Sequence, residues 1–193
     1  MSLIELNTGD SALMALARAS FEEGVTRQTA QAYLDDLGRY VYAGDTALHV
    51  AAATYRTDVV QALIAKGADP RARNRLGAEP LHAAVVGVPG SSTWNPRAQA
   101  ATVACLIAAG ADPNAVDKNG VAPLHRAVRT RCAAAVRALP AGGADARRRN
   151  KSGLTPMRRA THNTGRGGTG SPDAKAQQKE IVRLLEQQGA SRE

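Results

Sequence analysis

The sequence predicts an all-α fold: about four repeated units, each a pair of helices joined by turns, behind an N-terminal helical cap. Three observations predict it. A similar stretch opens at Gly44, Gly77, Gly120 and Gly153, and these glycines stand 33, 43 and 33 residues apart, a spacing typical of stacked repeat units. Within each unit, apolar residues fall three and four apart in two runs, the period of a helix face rather than of a strand. Hydrophobic residues make up 44% of the 193-residue chain but aromatics only 3%. The core must therefore be aliphatic and alanine-rich, and the apolar content is too high for a disordered chain.

The elements follow in order. Residues 1–40 read as a degenerate helix pair that covers the stack. Asp10 to Arg18 carries apolar residues at helical spacing, Thr26 can cap a second helix, and Ala30, Tyr33, Leu34 and Leu37 form its stripe. The first unit, 41–73, runs from Gly44-Asp-Thr-Ala-Leu-His49 through Val59, Val60, Leu63 and Ile64 to Gly67-Ala-Asp-Pro70. The second, 74–116, repeats it with Pro80-Leu-His82 and Gly110-Ala-Asp112, but holds an insert at 88–97 that contains Trp94, the sole tryptophan. The third, 117–149, has Pro123-Leu-His125 and Gly143-Ala-Asp145. The fourth, 150–191, is weaker: it has Pro156-Met157 and Gly189-Ala190, a second insert at about 166–175, and a polar final helix over Ala174 to Gln188.

The local chemistry of each unit agrees with this reading. Pro80, Pro123 and Pro156 suit a first helical turn, where a missing N–H costs nothing. Gly67, Gly110 and Gly143 suit the left-handed residue that stops a helix. Pro140 stands where the first two units have Ile64 and Ile107. Proline inside a helix costs about 3 kcal/mol, so a shortened helix ending near Ala138 is expected.

Period, Leu-His-x-Ala start, paired apolar residues and Gly-Ala-Asp stop together resemble the ankyrin repeat family, over roughly Val41 to Ser191. The resemblance implies one continuous ankyrin-repeat α-solenoid over 41–193, of stacked antiparallel helix pairs with projecting hairpin loops. It also implies protein binding through hairpin tips and the exposed side of the first helices, with no catalysis. Carried over position by position, it places Tyr42, Asp45, Arg73, Arg75, Leu76, Lys118, Asn119, Arg149 and Lys151 on the hairpins and Arg129 on a first helix. The first helices should also expose Ala53, Thr54, Val86, Gly87, Thr130 and His162. In that family the histidine of each unit bonds backbone near the hairpin. His49, His82 and His125 therefore serve structure rather than a metal.

The charge pattern bears on partners. The chain carries 25 basic and 17 acidic residues, and the stretch 117–166 alone has 12 basic against 2 acidic. Such a basic face favours encounter with acidic partners. The first expectation is thus an acidic protein surface or segment bound by the basic concave face. The alternative is non-specific nucleic-acid binding through the third and fourth units, but residues 117–193 contain no Phe, Trp or Tyr on which bases could stack. Trp94 is either an edge anchor for a partner or a shield over its own helices.

Other motifs carry no chemistry. Gly165-Arg-Gly-Gly-Thr-Gly170 matches a dinucleotide fingerprint in letters but follows no strand. Cys105 and Cys132 lack metal-ligand spacing and make no disulfide framework. Cys132 beside Arg129 and Arg131 would be reactive only if exposed. No secretory start and no long apolar run is present, so a cytoplasmic protein without cofactor, metal or membrane contact is expected.

Overall fold

The computed structural model describes residues 44–162 and 172–191. The expected cap at 1–40, Tyr42, the whole Gly165–Gly170 motif and residues 166–171 of the second insert lie outside the described residues. Eight helices and no strand occur among the described residues: α1 Ala47–Ala53, α2 Thr57–Ala65, α3 Pro80–Ala84, α4 Pro96–Ala108, α5 Pro123–Arg129, α6 Ala133–Ala141, α7 Pro156–Thr161 and α8 Pro172–Gln187. First helices α1, α3, α5 and α7 pack in one row, second helices α2, α4, α6 and α8 in another, and each unit touches only its neighbours.

The core between the rows is built from one residue set, repeated. Leu48, Leu81, Leu124 and Met157 occupy one position in successive first helices, and each is at most 1% exposed. From the second helices come Val59, Val60 and Leu63, then Val103 and Leu106, then Val136 and Leu139, then Ile181, Leu184 and Leu185. Alanines such as Ala51, Ala84, Ala127 and Ala135 are fully buried. Their small side chains let short helices approach closely without aromatic fillers, which the composition lacks.

Every second helix ends in the same way. The N–H groups of Ala68, Ala111, Ala144 and Ala190 donate at 3.0–3.1 Å to the carbonyls of Leu63, Leu106, Leu139 and Leu185. The preceding glycines, Gly67, Gly110, Gly143 and Gly189, have φ between +70° and +97°, the left-handed turn that ends a helix.

Three expectations need correction. α6 is not cut short at Ala138; it runs through Pro140 to Ala141. Proline removes only its own N–H from the helix. The closing bonds are donated by Gly142, Gly143 and Ala144 to carbonyls of residues 138–140, none of which needs the missing hydrogen. The first insert is shorter than 88–97, because Asn95 caps α4 by accepting from the N–H groups of Arg97 (3.1 Å) and Ala98 (3.0 Å). The final helix starts at Pro172 rather than Ala174, inside the expected insert. Part of both inserts therefore lengthens a helix: α4 has 13 residues and α8 has 16, against 9 in α2 and α6.

The insert that holds Trp94 folds inward. The Trp94 indole N–H donates to Oε1 of Gln99 at 3.1 Å, and the ring packs on the core. Gln99 is fully buried and donates through Nε2 to the Ala84 carbonyl (3.1 Å) and the Tyr55 hydroxyl (3.2 Å). Tyr55 in turn donates to the Val86 carbonyl. Gly87 is buried in this cluster, not exposed as expected; a Cβ there would lie 2.6 Å from Trp94 Cδ1.

Candidate functional site

The hairpins are built by one polar residue each. The side-chain oxygen Oδ1 of Asn74 accepts from the N–H groups of Leu76 (2.9 Å) and Ala78 (3.0 Å). Asp117 does the same for Asn119 and Val121, and Asn150 for Ser152 and Leu154, all at 2.9–3.0 Å. One short side chain thus pins two backbone donors and fixes the turn.

Those hairpins then stack in file. The Lys118 N–H donates to the Leu76 carbonyl at 3.0 Å. The Lys151 ammonium donates to the Lys118 carbonyl at 2.7 Å. A Cβ on Gly44 would lie 3.1 Å from the Arg75 nitrogen, one on Gly77 3.2 Å from that of Lys118, and one on Gly120 2.8 Å from that of Lys151. Arg75, Lys118 and Lys151 therefore occupy equivalent places on consecutive hairpins, and all three are exposed. Asn119, Arg129 and Arg149 are exposed as well, and Leu76, 40% exposed, sits beside Arg75 at the tip. Ala53, Thr54, Val86 and Thr130 are half-buried, and His162 is exposed.

The acidic residues beside this edge are withdrawn from it. Asp45, expected at a tip, is buried and accepts from Asn74 Nδ2 at 2.7 Å. Glu79 is 3% exposed and takes a 3.1 Å bond from Arg73. Burial raises the Glu79 carboxyl above the usual range despite the nearby Arg73 charge. Asp117 accepts from Arg126 at 2.8 Å, a pair 5% and 11% exposed. Burial pushes the Asp117 carboxyl up, but the bonds from Arg126, Val121 and Asn119 outweigh it and hold it low. Arg73 is only partly available to a partner, since it also donates to the Val116 carbonyl at 3.3 Å.

The three histidines link unit to unit. Nε2 of His49, His82 and His125 donates to the carbonyls of Ala78 (2.9 Å), Val121 (3.1 Å) and Leu154 (3.0 Å), each in the next hairpin. A carbonyl only accepts, so Nε2 carries the proton and Nδ1 is free to accept. Nδ1 of His49 accepts from the Thr46 N–H at 3.2 Å and that of His82 from the Glu79 N–H at 3.1 Å. Burial lowers the basicity of all three imidazoles, that of His82 to about 4.

A parallel link runs along the opposite loops. Arg71 Nε donates to the Gly110 carbonyl (2.6 Å), Asn114 Nδ2 to that of Gly143 (2.8 Å) and Arg147 Nε to that of Gly189 (3.1 Å).

Two family models match this chain: a model of the ankyrin repeat covers residues 43–75, and one of ankyrin repeats in many copies covers 106–160. The chain is an ankyrin-repeat protein. Ankyrin repeats are in general protein-interaction modules without catalytic activity. No curated protein matches the chain significantly. The second ankyrin repeat, most of which both models pass over, carries the insert and has Glu79 where the first and last repeats have Thr46 and Thr155. It still forms the hairpin, the helix pair and the histidine link of its neighbours.

Sequence reasoning missed the residues that silence the acids. Arg126 was legible only as another basic residue, because its partner Asp117 is nine positions back and on the hairpin. Cys132 is fully buried, with its thiol donating to the Thr130 carbonyl at 3.7 Å. Burial likewise raises the Cys105 thiol. Among the described residues no helix is long and apolar enough to cross a membrane, and no group of three or more His, Cys, Asp or Glu could hold a metal.

Proposed function

We propose that this ankyrin-repeat protein binds an acidic protein segment along the basic edge of its hairpins, without catalysis. The observation that carries the reading is the file of Arg75, Lys118 and Lys151 on stacked hairpins, with the adjoining carboxylates of Asp45, Glu79 and Asp117 buried and bonded. The cations at the edge are thus not neutralised from within. Leu76 supplies an apolar contact at one end, Asn119 a hydrogen-bonding side chain, and Arg129 and Arg149 flank the file. Trp94 serves the fold, bonded to Gln99, rather than a partner. The setting that suits its two thiols is a reducing one, the cytoplasm.

Each exposed charge pair contributes about 0.2–1 kcal/mol, so three together amount to roughly tenfold in affinity. The test measures fluorescence anisotropy of a labelled peptide of alternating Glu and Leu, with the full chain in about 150 mM salt. The variant Arg75→Glu/Lys118→Glu/Lys151→Glu should bind at least tenfold more weakly while its far-UV circular dichroism stays helical. Equal binding by both proteins sinks the reading. Single-stranded DNA held more tightly than the peptide at that salt would favour nucleic acid instead, since weak phosphate-backbone contacts fade by then.

A further inference from the structure

The last unit departs from the others at its linking position. Counting from the opening glycine, Arg158 stands where His49, His82 and His125 stand in the first three units. Those histidines each donate to a carbonyl oxygen of the following hairpin. Arg158 instead is exposed and opens into a cleft of about 380 Å³, lined also by Arg147, Arg149, Thr155 and the Gly189–Ser191 turn. By repeat symmetry the cleft is the slot that receives the following hairpin in earlier units.

The wall of this slot is cationic. Arg147 and Arg149 each use one N–H on a backbone carbonyl, of Gly189 and Gly153, both at 3.1 Å. A guanidinium has five N–H donors, so each retains most of its fork. No residue of the lining is acidic, and among the described residues the Arg158 guanidinium has no carboxylate partner. Three guanidinium groups around one cleft exceed what a carboxylate can neutralise. A phosphomonoester carries about −1.5 to −2 charge and three acceptor oxygens, and matches them better. No aromatic side chain lines the slot, so a nucleotide base would find no stacking surface.

We propose that this cleft is an oxyanion site for a phosphorylated serine or threonine on an extended protein segment, lying where a further hairpin would lie and offering phosphate oxygens where the histidines meet carbonyls. It is separate from the hairpin file, sharing only the flanking Arg149. The test titrates the full chain with the blocked peptide Ala-Ala-phosphoserine-Ala-Ala by calorimetry in about 150 mM salt, beside its Glu and Ser counterparts and inorganic phosphate. The phosphopeptide should bind at least tenfold more tightly than the Glu peptide, the Ser peptide should not bind, and inorganic phosphate should compete. Arg158→Leu and Arg147→Ala should each weaken the phosphopeptide about tenfold, as expected for charge-assisted bonds, with an unchanged unfolding midpoint for Arg158→Leu, while Arg97→Ala changes nothing. Arg75→Glu/Lys118→Glu/Lys151→Glu should bind it within about threefold of wild type, so failure here and failure of the hairpin reading are told apart. Equal binding of phosphoserine and Glu peptides, indifference to Arg158→Leu, or a thymidine oligonucleotide binding as well as the phosphopeptide would overturn the proposal.

Discussion

Asp117 shows how one residue serves two levels of structure. Its Oδ1 accepts two hairpin N–H groups and its Oδ2 the guanidinium of Arg126. With the pair nearly buried, removing one partner leaves a charge that neither water nor a counter-ion satisfies, at a cost of about 3 kcal/mol. Arg126→Met should thus lower the urea midpoint clearly and raise the Asp117 pKa, measured by carbon-detected NMR titration. A variant whose Asp117 titrates as before would show that the backbone N–H groups alone hold the charge. Asp117 suits a turn by residue type alone, because Asx chemistry is local. The clamp was not legible in the sequence, because only the folded unit brings helix α5 against the hairpin that precedes it.

Among the elements, the hairpins leave little room for added atoms. Gly120 has φ +70°, and a Cβ there would meet Lys151 at 2.8 Å from its backbone nitrogen and 2.7 Å from its Cγ. A methyl group adds backbone strain of about 1–2 kcal/mol and pushes one hairpin off the next. Gly120→Ala should therefore cost about 2 kcal/mol or more, read from denaturant midpoints, and loosen the file at Lys151. Gly67→Ala is the control: its φ is +93°, but nothing lies within 4 Å of its Cβ, so only the strain should appear. Equal costs for the two would deny that hairpin contact matters. Helix boundaries were legible where a cap is local, as at Pro80, Pro123 and Pro156. They were misjudged where extra residues could join either a loop or a helix. Asn95 and Pro96 carried a start signal for α4, but counting the repeat length assigned them to the insert. Pro140 was misjudged because an interior penalty was applied to the last turn, whose closing bonds it does not make.

The described units are joined by three like histidine couplings, and the pH response of the stack follows from them. Period and motif made the stack readable, because each unit repeats the same burial problem. Which atoms join the units was not, since the acceptors at Ala78, Val121 and Leu154 are backbone carbonyls with no sequence signature. Their donors are imidazoles that stay neutral to remain buried, and in His49 and His82 Nδ1 also accepts a backbone N–H. In the unfolded chain they protonate near 6.5, whereas His82 in the fold waits until about 4. Between those values the unfolded state binds more protons, so stability falls as pH falls. The contribution is fully present above pH 6.5 and is lost on the way to pH 4, amounting to about 3 kcal/mol for His82 alone. Glu79 acts in the opposite sense, because its raised carboxyl favours the fold as it protonates. Asp117 loses its share only below its ordinary 3.8. The urea midpoint should therefore fall steadily from pH 7 to pH 4. His82→Gln, whose amide can donate in the same direction but does not titrate there, should start lower and fall less steeply. If both proteins decline in parallel, the imidazole links are not what acid breaks, and the stack must come apart by another route.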